Sequence, residues 1–250
     1  YQSEVTKFDN ESKELGNWYV GQKQGEIWGY ETYGLFQSEQ EIAGAANQDK
    51  VSGGIKLMPG DIRFVDRNND GVIDWGDNTV ENPGDKKIIG NSTPRYHYGI
   101  NLGADWKGFD LGIFFQGVGK RDLYLPGTSF LSHYGSEWQV PSAYNNDYWT
   151  EENTGAYFPR ARFNGGSAIN QAQTRYMVDA SYCRLKSVSI GYTLPKVLTQ
   201  KASIEKIRIY FTGENLFTIS DTPDGLDPEL DNPYTYPMQR SLSVGLSLTF

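Results

Sequence analysis

The sequence predicts an all-β fold, an antiparallel segment of a transmembrane β-barrel with long loops. Apolar and polar residues alternate along several stretches, as they do in strands that face lipid on one side and water on the other. Aromatic residues make up 14% of the chain, which suits strands and the aromatic girdles of a barrel. A mean hydropathy of −0.58 and the lack of a long apolar run exclude a membrane-spanning helix. They do not exclude a membrane β-barrel, because the alternating residues of barrel strands give a polar mean hydropathy.

The clearest strand signal is a hairpin at residues 96–119. Apolar and polar residues alternate on both sides of Lys107 and Gly108, which are predicted to form a two-residue turn. Each strand has about ten residues, the length that a tilted membrane strand needs. A half-buried hairpin in a soluble sandwich explains this stretch equally well, so the hairpin alone leaves both alternatives open.

Further strand signals lie at residues 25–37, 182–194, 206–220 and 240–250. About six strands are therefore long enough to span a membrane, whereas the smallest closed membrane barrels need about eight. An open sheet would leave edge groups that lipid cannot hydrate. We therefore expect the chain to supply only part of a barrel.

The last strand, residues 240–250, alternates most regularly. Serine, glycine and threonine lie between its apolar residues, which are Leu242, Val244, Leu246, Leu248 and Phe250. One face suits lipid and the other suits a watery lumen, and the strand must pair with the first strand of the barrel to remove its edge. An ordinary antiparallel strand on a soluble core is the alternative.

Short and long connections alternate along the chain. The connections at residues 107–108 and 196–205 are short, whereas residues 38–94, 120–181 and 221–239 are long and rich in Gly, Pro, Asn and Asp. Outer-membrane barrels have short periplasmic turns and long extracellular loops. With a periplasmic C-terminus, this pattern predicts that the three long segments are extracellular.

Residues 66–77, DRNNDGVIDWGD, match the calcium-loop pattern D-x-[DN]-x-[DN]-G-x5-E at all but the last position. Ca²⁺ takes about six to eight oxygen ligands, and Gly71 permits the sharp turn that gathers them. The expected ligands are Asp66, Asn68, Asp70, the backbone carbonyl of Val72, Asp74 and Asp77. Asp77 replaces the usual Glu, which weakens the site, and the flanking residues are not helical. The sequence therefore predicts a structural calcium, with an Asx-rich turn held by its own hydrogen bonds as the alternative.

Composition argues against several functions. The net charge of −8 argues against a nucleic-acid partner. Cys183 is the only cysteine, which excludes an internal disulfide and a cysteine-based zinc site. The chain has only two histidines and no nucleophile-elbow, P-loop or dinucleotide-binding motif, so the sequence predicts no enzyme.

The stretch PGDIRFVDRNNDGVIDWGD, followed by IIGNSTPRYHYGINLGADWKGFDLGIFFQGVGK, resembles the C-terminal part of SusC/RagA-type TonB-dependent outer-membrane transporters. VDASYCRLKSVSIGYTLP, IRIYFTGENLFTIS, GLDPEL and YPMQRSLSVGLSLTF are similar to the same family, and the similarity covers nearly the whole chain in the family's order. The resemblance implies the last strands of a large barrel of about 22 strands. The plug domain and the TonB box of the family are absent from this chain.

The resemblance also implies a function, the import of oligosaccharides or peptides across the outer membrane of a Gram-negative cell. The implied partners are a SusD-like surface lipoprotein that forms a lid, TonB through the missing N-terminal part, the remaining barrel and plug, and outer-membrane lipid. Phe250 at the chain end resembles the signal that the barrel-assembly machinery recognises. A secreted, calcium-stabilised carbohydrate-binding β-sandwich is the alternative function.

Candidate contacts with cargo or lid lie in the segment 120–181. Aromatic rings stack on sugars or contact peptide side chains, and aromatic residues and Arg are enriched at protein interfaces. The candidates are Trp138, Tyr144, Tyr148, Trp149, Tyr157 and Arg160. For each of them, packing within the loop is the alternative.

Overall fold

The computed structural model describes residues 3–125, 147–162, 167–200, 203–223, 226–230 and 235–250. The chain divides into two compact units, Tyr1–Thr93 with Asp122–Val178 and Pro94–Arg121 with Asp179–Phe250. The predictions for Trp138 and Tyr144 lie outside the described residues.

Paired antiparallel strands make up most of the regular structure. The strands are β1 (Glu26–Tyr30), β2 (Thr32–Leu35), β3 (Ile62–Phe64), β4 (Lys86–Asn91), β5 (Tyr96–Trp106), β6 (Phe109–Gly119), β7 (Asp122–Tyr124), β8 (Met177–Asp179), β9 (Tyr182–Thr193), β10 (Lys206–Ser220) and β11 (Ser241–Thr249). Short helices are α1 (Glu39–Ala43), α2 (Asp49–Ser52) and α3 (Lys196–Thr199), with 3-10 turns at Ala168–Asn170 and Thr174–Tyr176. No helix in the described ranges has the length and apolarity to cross a membrane. The predicted all-β, antiparallel fold class is confirmed.

The second unit is built on one five-stranded sheet in the order β11–β10–β9–β6–β5. β5 pairs with β6 along its whole length, from Tyr96 to Trp106. Lys107 and Gly108 have φ angles of +46° and +91°, as the tight hairpin turn requires, so the predicted hairpin is confirmed. Within the described part of the chain, β5 and β11 are the free edges of this sheet.

The strand register gives this sheet one apolar and one polar face. Rows of cross-strand neighbours alternate between the two faces. One row on the apolar face is Leu246, Ile209, Tyr192 and Phe109. The next row, on the polar face, is Gly245, Tyr210, Gly191 and Asp110.

The apolar face is open. Its large side chains are exposed, among them Trp106, Ile219, Leu242, Val244 and Phe250. In a soluble β-sandwich this face would be the dry layer between two sheets. The β-sandwich alternative therefore does not describe this sheet, and an outward apolar face fits hydrocarbon.

Both short connections lie at one end of the sheet. The turn at residues 107–108 and the connection 194–205 are at the end where the chain stops at Phe250. The opposite end leads into long segments at Tyr96 and Ser220. The sheet therefore has the segregation of short and long connections that outer-membrane barrels show.

The remaining strands form two-stranded sheets, in which β1 pairs with β4, β2 with β3 and β7 with β8. The core of the first unit buries Tyr30, Phe36, Val51, Ile62 and Ile73. Hydrophobic burial therefore gives this unit a core of its own.

Residues 25–37 form strand structure, as predicted, but they do not form one of the long strands that the count of about six included. The stretch is divided at Glu31 into β1 and β2, which pair with different partners. Tyr30 and Phe36 are both buried, so the stretch contributes to the core of the first unit. The described ranges therefore contain five long strands, not about six, and all five lie in the five-stranded sheet.

Candidate functional site

The polar face of the sheet carries an ion pair that reaches across β9. Arg208 of β10 and Asp110 of β6 form a bidentate ion pair, with Nη2–Oδ2 at 2.5 Å and Nε–Oδ1 at 2.9 Å. Gly191 of β9 makes this possible, because a Cβ there would lie 2.4 Å from Asp110 Oδ1. The guanidinium also lies 4.8 Å from the ring centroid of Tyr210. Charge-assisted bonds of this geometry fix both side chains on the polar face.

A second ion cluster, the Arg184 cluster, fixes the segment between β10 and β11 on the same face. It consists of Arg184, Lys186, Thr218, Asp227 and Glu229. Arg184 Nη2 is 2.5 Å from Asp227 Oδ1, and Nη1 is 2.7 Å from Glu229 Oε2. Lys186 Nζ is 2.8 Å from Glu229, and Arg184 Nε donates to Thr218 Oγ1 at 2.8 Å. The side chains of Arg184 and Asp227 are 3% and 4% exposed, so the pair is shielded from water.

Asp227 is hydrogen bonded on both carboxylate oxygens. The backbone amide of Glu229 donates to Oδ1 at 3.0 Å, and that of Met238 donates to Oδ2 at 2.9 Å. Burial raises the pKa of this carboxyl, but the hydrogen bonds and the charge of Arg184 outweigh burial, and the pKa is lowered. Asp227 is therefore ionised at neutral pH, and its carboxylate binds the backbone amides of Glu229 and Met238.

Hydrogen bonds within residues 66–77 give the predicted calcium loop a closed shape. Gly71 N donates to Asp66 Oδ2 at 2.9 Å, and Gly71 has the positive φ, +85°, that the predicted turn needs. Asp70 N donates to Asn68 Oδ1 at 3.1 Å, and Val72 N donates to Asp70 Oδ1 at 2.8 Å. These are Asx-type bonds, which hold the loop by its own side chains.

Asp85, which lies outside the predicted loop, anchors it. This side chain is fully buried, and its Oδ1 accepts from Arg67 N at 2.7 Å while Oδ2 accepts from Asp74 N at 2.8 Å. One carboxylate therefore ties two points of the loop together. Ile73 is buried as well, and its amide donates to Asn47 O at 2.7 Å.

The predicted calcium ligands are only partly available for a cation. Asp66 Oδ1 is buried and has no hydrogen-bond partner, as expected of an oxygen that a cation would take. Asp74 Oδ2, however, is 2.6 Å from Lys50 Nζ, a hydrogen bond that lowers the pKa of Asp74. Asp77 Oδ2 accepts from Asn82 Nδ2 at 2.8 Å. Within the described ranges, no three acidic, histidine or cysteine side chains converge as a metal site.

The described part of the predicted contact segment includes a loop at residues 147–158 that is bonded to itself. Asp147 Oδ1 accepts from Asn153 Nδ2 at 3.0 Å, and Oδ2 accepts from Tyr157 N at 3.0 Å. The Asn153 hydrogen bond is the main cause of a lowered pKa at Asp147. Phe158 N donates to Asp147 O at 3.0 Å and closes the loop.

The aromatic candidates in this loop differ in exposure. Trp149 is only 3% exposed, and its Nε1 donates to Gln37 Oε1 at 3.2 Å. Its ring covers Gly60, where a Cβ would approach to 2.5 Å, and the Arg160 guanidinium lies 5.1 Å from the ring centroid. Trp149 therefore packs inside the unit, whereas Tyr148 is 41% exposed.

Tyr157, a further candidate, is exposed but held at its hydroxyl. Its Oη donates to Arg175 O at 3.0 Å. In return, Arg175 donates to the carbonyls of Tyr157 at 2.7 Å and Ala156 at 2.6 Å. The ring is therefore fixed in place at the loop surface.

Comparisons with known proteins identify the family. No protein-family model matches the chain. The TonB-dependent receptor P3 of Formosa agariphila is 32% identical over 248 aligned residues, covering 92% of this chain and 22% of that protein. SusC of Bacteroides thetaiotaomicron, also a TonB-dependent receptor, is 30% identical over 194 residues, covering 75% of this chain and 17% of SusC. This chain belongs to the SusC/RagA family of TonB-dependent receptors.

Solved structures agree with this SusC/RagA assignment at the level of the fold. The RagAB peptide importer in its open-open state has a TM-score of 0.69 at 22% identity, over 99% of this chain and 25% of that chain. A second structure, of the RagAB peptide transporter, has a TM-score of 0.65 at 22% identity, over 93% of this chain and 24% of that chain. The chain thus spans 22% of receptor P3 and 25% of the RagAB chain. As a SusC/RagA member it is an outer-membrane protein, and the predicted location is confirmed.

Sequence reasoning missed the Arg184 cluster of this SusC/RagA chain. A signal was present, because Arg184 and Lys186 are the charged residues of a strand whose polar face otherwise carries tyrosine, serine, glycine and threonine. Charged side chains on a strand need partners, and GLDPEL supplies Asp227 and Glu229. Asp85 had no such signal, because it is one acidic residue among many in a long loop.

Proposed function

We propose that this chain forms part of the wall of an outer-membrane importer that takes up oligosaccharides or peptides. A SusD-like surface lipoprotein acts as its lid, and TonB drives it through receptor parts outside this chain. The observation that carries the proposal is the single sheet with an exposed apolar face on one side and a polar face on the other. Only an environment with hydrocarbon on one side and water on the other satisfies both faces.

The relatives support the same function. SusC is named as a TonB-dependent receptor, and RagAB is named as a peptide importer. The Arg184 cluster supports it as well, because it places a loop segment on the polar face, where cargo would pass.

Deletion of the receptor gene tests this proposal. A deletion strain is compared with its parent and with a complemented strain for uptake of labelled polysaccharide hydrolysates and of a tryptic casein digest. We expect the deletion strain to lose uptake of one class and the complemented strain to recover it. A tagged receptor purified from outer membranes should carry a SusD-like lipoprotein, identified by mass spectrometry. Unchanged uptake of both classes would contradict the proposal.

We also propose that residues 66–77 bind a structural calcium ion that stiffens their loop. The unpartnered Asp66 Oδ1 and the positive φ of Gly71 support it. Binding would require Asp74 to exchange its hydrogen bond with Lys50 for the cation. Terbium titration of the purified receptor, with calcium as competitor, is the measurement.

A further inference from the structure

A cavity of about 380 Å³ opens on the loop of residues 147–158. This volume lies within the range of about 300–1,000 Å³ that small-ligand sites occupy. Its main lining residues are Tyr148, Trp149, Thr150, Glu151, Glu152 and Arg160. The cavity therefore combines two aromatic residues with two carboxylates and one guanidinium.

We propose that this cavity is a subsite for one sugar ring of an oligosaccharide cargo. The Tyr148 ring lies against the apolar face of the sugar, and Glu151, Glu152 and Arg160 surround its hydroxyls. This inference rests on the proposed import function and deepens it, because it selects oligosaccharides over peptides.

The chemistry of the lining matches a sugar ring. Tyr148 is 41% exposed and offers a flat apolar surface, which suits the C–H face of a pyranose. Glu151 and Glu152 are exposed, so their carboxylates are free to accept hydrogen bonds from hydroxyl groups at the ring edge. Arg160 supplies donors to hydroxyl oxygens, and its guanidinium lies 5.1 Å from the centroid of the Trp149 ring.

The cavity is preorganised by the bonds of its own loop. Asp147 joins Asn153 to Tyr157, and Trp149 is anchored over Gly60. Arg160 N donates to Gly60 O at 2.8 Å, which fixes the backbone of this lining residue. A site that already has its bound shape loses little conformational entropy when the ligand enters.

The backbone around the cavity favours a sugar over a peptide. Extended peptides are commonly bound by adding a strand to a free edge. Here Trp149 N donates to Phe158 O at 3.1 Å, and Asn153 N donates to Thr150 O at 3.0 Å. These four backbone groups are paired within the loop and cannot pair with an added peptide strand, whereas the exposed side chains of the cavity remain available for recognition.

The subsite is tested by measuring how tightly variants of the receptor that carries this chain bind oligosaccharides. The purified receptor is incubated in detergent with partial hydrolysates of starch, cellulose, laminarin, agar and inulin, and separately with a tryptic casein digest. Chromatography identifies the depleted component, and calorimetry gives its affinity. We expect Tyr148→Ala to weaken oligosaccharide binding by about tenfold and Tyr148→Phe, which keeps the ring, to stay within about threefold.

Two further variants complete the test. Tyr33→Ala removes an exposed tyrosine of the same unit that does not line the cavity, and should leave affinity unchanged. Glu152→Gln is a second cavity variant whose exposed side chain leaves folding intact, and it should weaken binding. Heat-modifiable migration on SDS gels verifies that each variant is a folded barrel.

The outcomes separate the two proposals. Oligosaccharide binding that is unchanged in both Tyr148→Ala and Glu152→Gln overturns the subsite and leaves the import function standing. Binding of casein peptides without oligosaccharides overturns the choice of sugar and again leaves import standing. A folded receptor that binds neither probe class contradicts both proposals.

Discussion

Arg184 Nη2 lies 2.5 Å from Asp227 Oδ1, although 43 residues separate the two in sequence. The pair joins β9 to the segment that precedes the last strand, and both side chains are almost fully buried. A buried ion pair that loses one partner leaves an uncompensated charge, which costs far more than breaking an exposed pair. Asp227 therefore attaches residues 226–230 and Met238 to the sheet.

We expect Arg184→Met to destabilise the folded barrel strongly. It leaves the buried Asp227 without its cation and removes one partner of Glu229, at a cost of about 3–5 kcal/mol in the free energy of unfolding. Loss of heat-modifiable migration on SDS gels with increasing temperature is the measurement. Arg208→Met is the matched control, because its pair with Asp110 is more exposed, at 25% and 31%, and losing that pair should destabilise the barrel much less. Equal losses in the two variants would refute the importance of burial here.

The lowered pKa of Asp227 predicts acid release of the same segment. An aspartate in an unfolded chain titrates near about pH 3.9. A folded-state pKa below that value adds stability that is complete above about pH 3.9 and is lost as the pH falls through the folded value. Limited proteolysis should therefore show a protected segment from about pH 8 to about pH 4 and cleavage only at lower pH. Release centred near neutral pH would rule out Asp227 as the controlling group.

Substitution by alanine should affect the stability of the barrel differently at two glycines of β6. A Cβ at Gly117 would lie 2.2 Å from the ring of Tyr98, whose hydroxyl donates to Tyr182 O at 3.0 Å. Gly117→Ala should displace that ring and cost about 1–3 kcal/mol in barrel stability. At Gly112 no atom lies within 4 Å of the added carbon, so Gly112→Ala should be neutral or slightly stabilising. The same gel assay compares them, and similar behaviour would show that the Tyr98 contact is unimportant.

Calcium affinity should follow the chemistry of residues 66–77. Asp77→Glu supplies the longer, bidentate side chain and should tighten binding by about tenfold, whereas Asp66→Asn should weaken it by a similar factor. Lys50→Met removes the competitor for Asp74 and should also tighten binding. Terbium luminescence sensitised by the exposed Trp75 reports occupancy. An unchanged signal in Asp66→Asn would place the ion elsewhere.

Asp85→Ala should loosen the loop even without calcium. The change leaves the amides of Arg67 and Asp74 without an acceptor, at a cost of about 1–3 kcal/mol for each buried group. Proteolysis of the receptor in the presence of EGTA should cut this loop faster in Asp85→Ala than in Asp9→Ala, which alters an exposed aspartate of the same unit. Equal cleavage rates would show that Asp85 is not the anchor.

The local sequence pattern was sufficient to predict the long strands of the five-stranded sheet. The hairpin around Lys107 and Gly108 and the last strand follow from alternation and turn chemistry, which involve only neighbouring residues. The division of residues 25–37 could not be predicted, because it depends on strand partners far along the chain, β4 and β3.

The site was harder to predict for a related reason. Tyr148 and Trp149 are adjacent aromatic residues in one loop, yet one is presented to solvent and the other is packed over Gly60. Loop sequences have no regular spacing of apolar residues. The sequence therefore cannot distinguish an exposed aromatic side chain that could contact a ligand from one that is packed inside the protein. The ion pair of Arg184 with Asp227 likewise depends on how a long segment folds back.

All eleven residues of β5 are exposed on both sides of the strand. A tilted strand of this length matches an apolar band about 25 Å tall, so acyl chains supply the packing that a soluble protein obtains from its own interior. A change in the length of the lipid tails therefore changes the packing around this strand and hence its stability, as a core substitution changes the stability of a soluble domain. The melting behaviour of the receptor is a joint property of polypeptide and bilayer, and it should shift with membrane thickness while the amino-acid sequence stays the same.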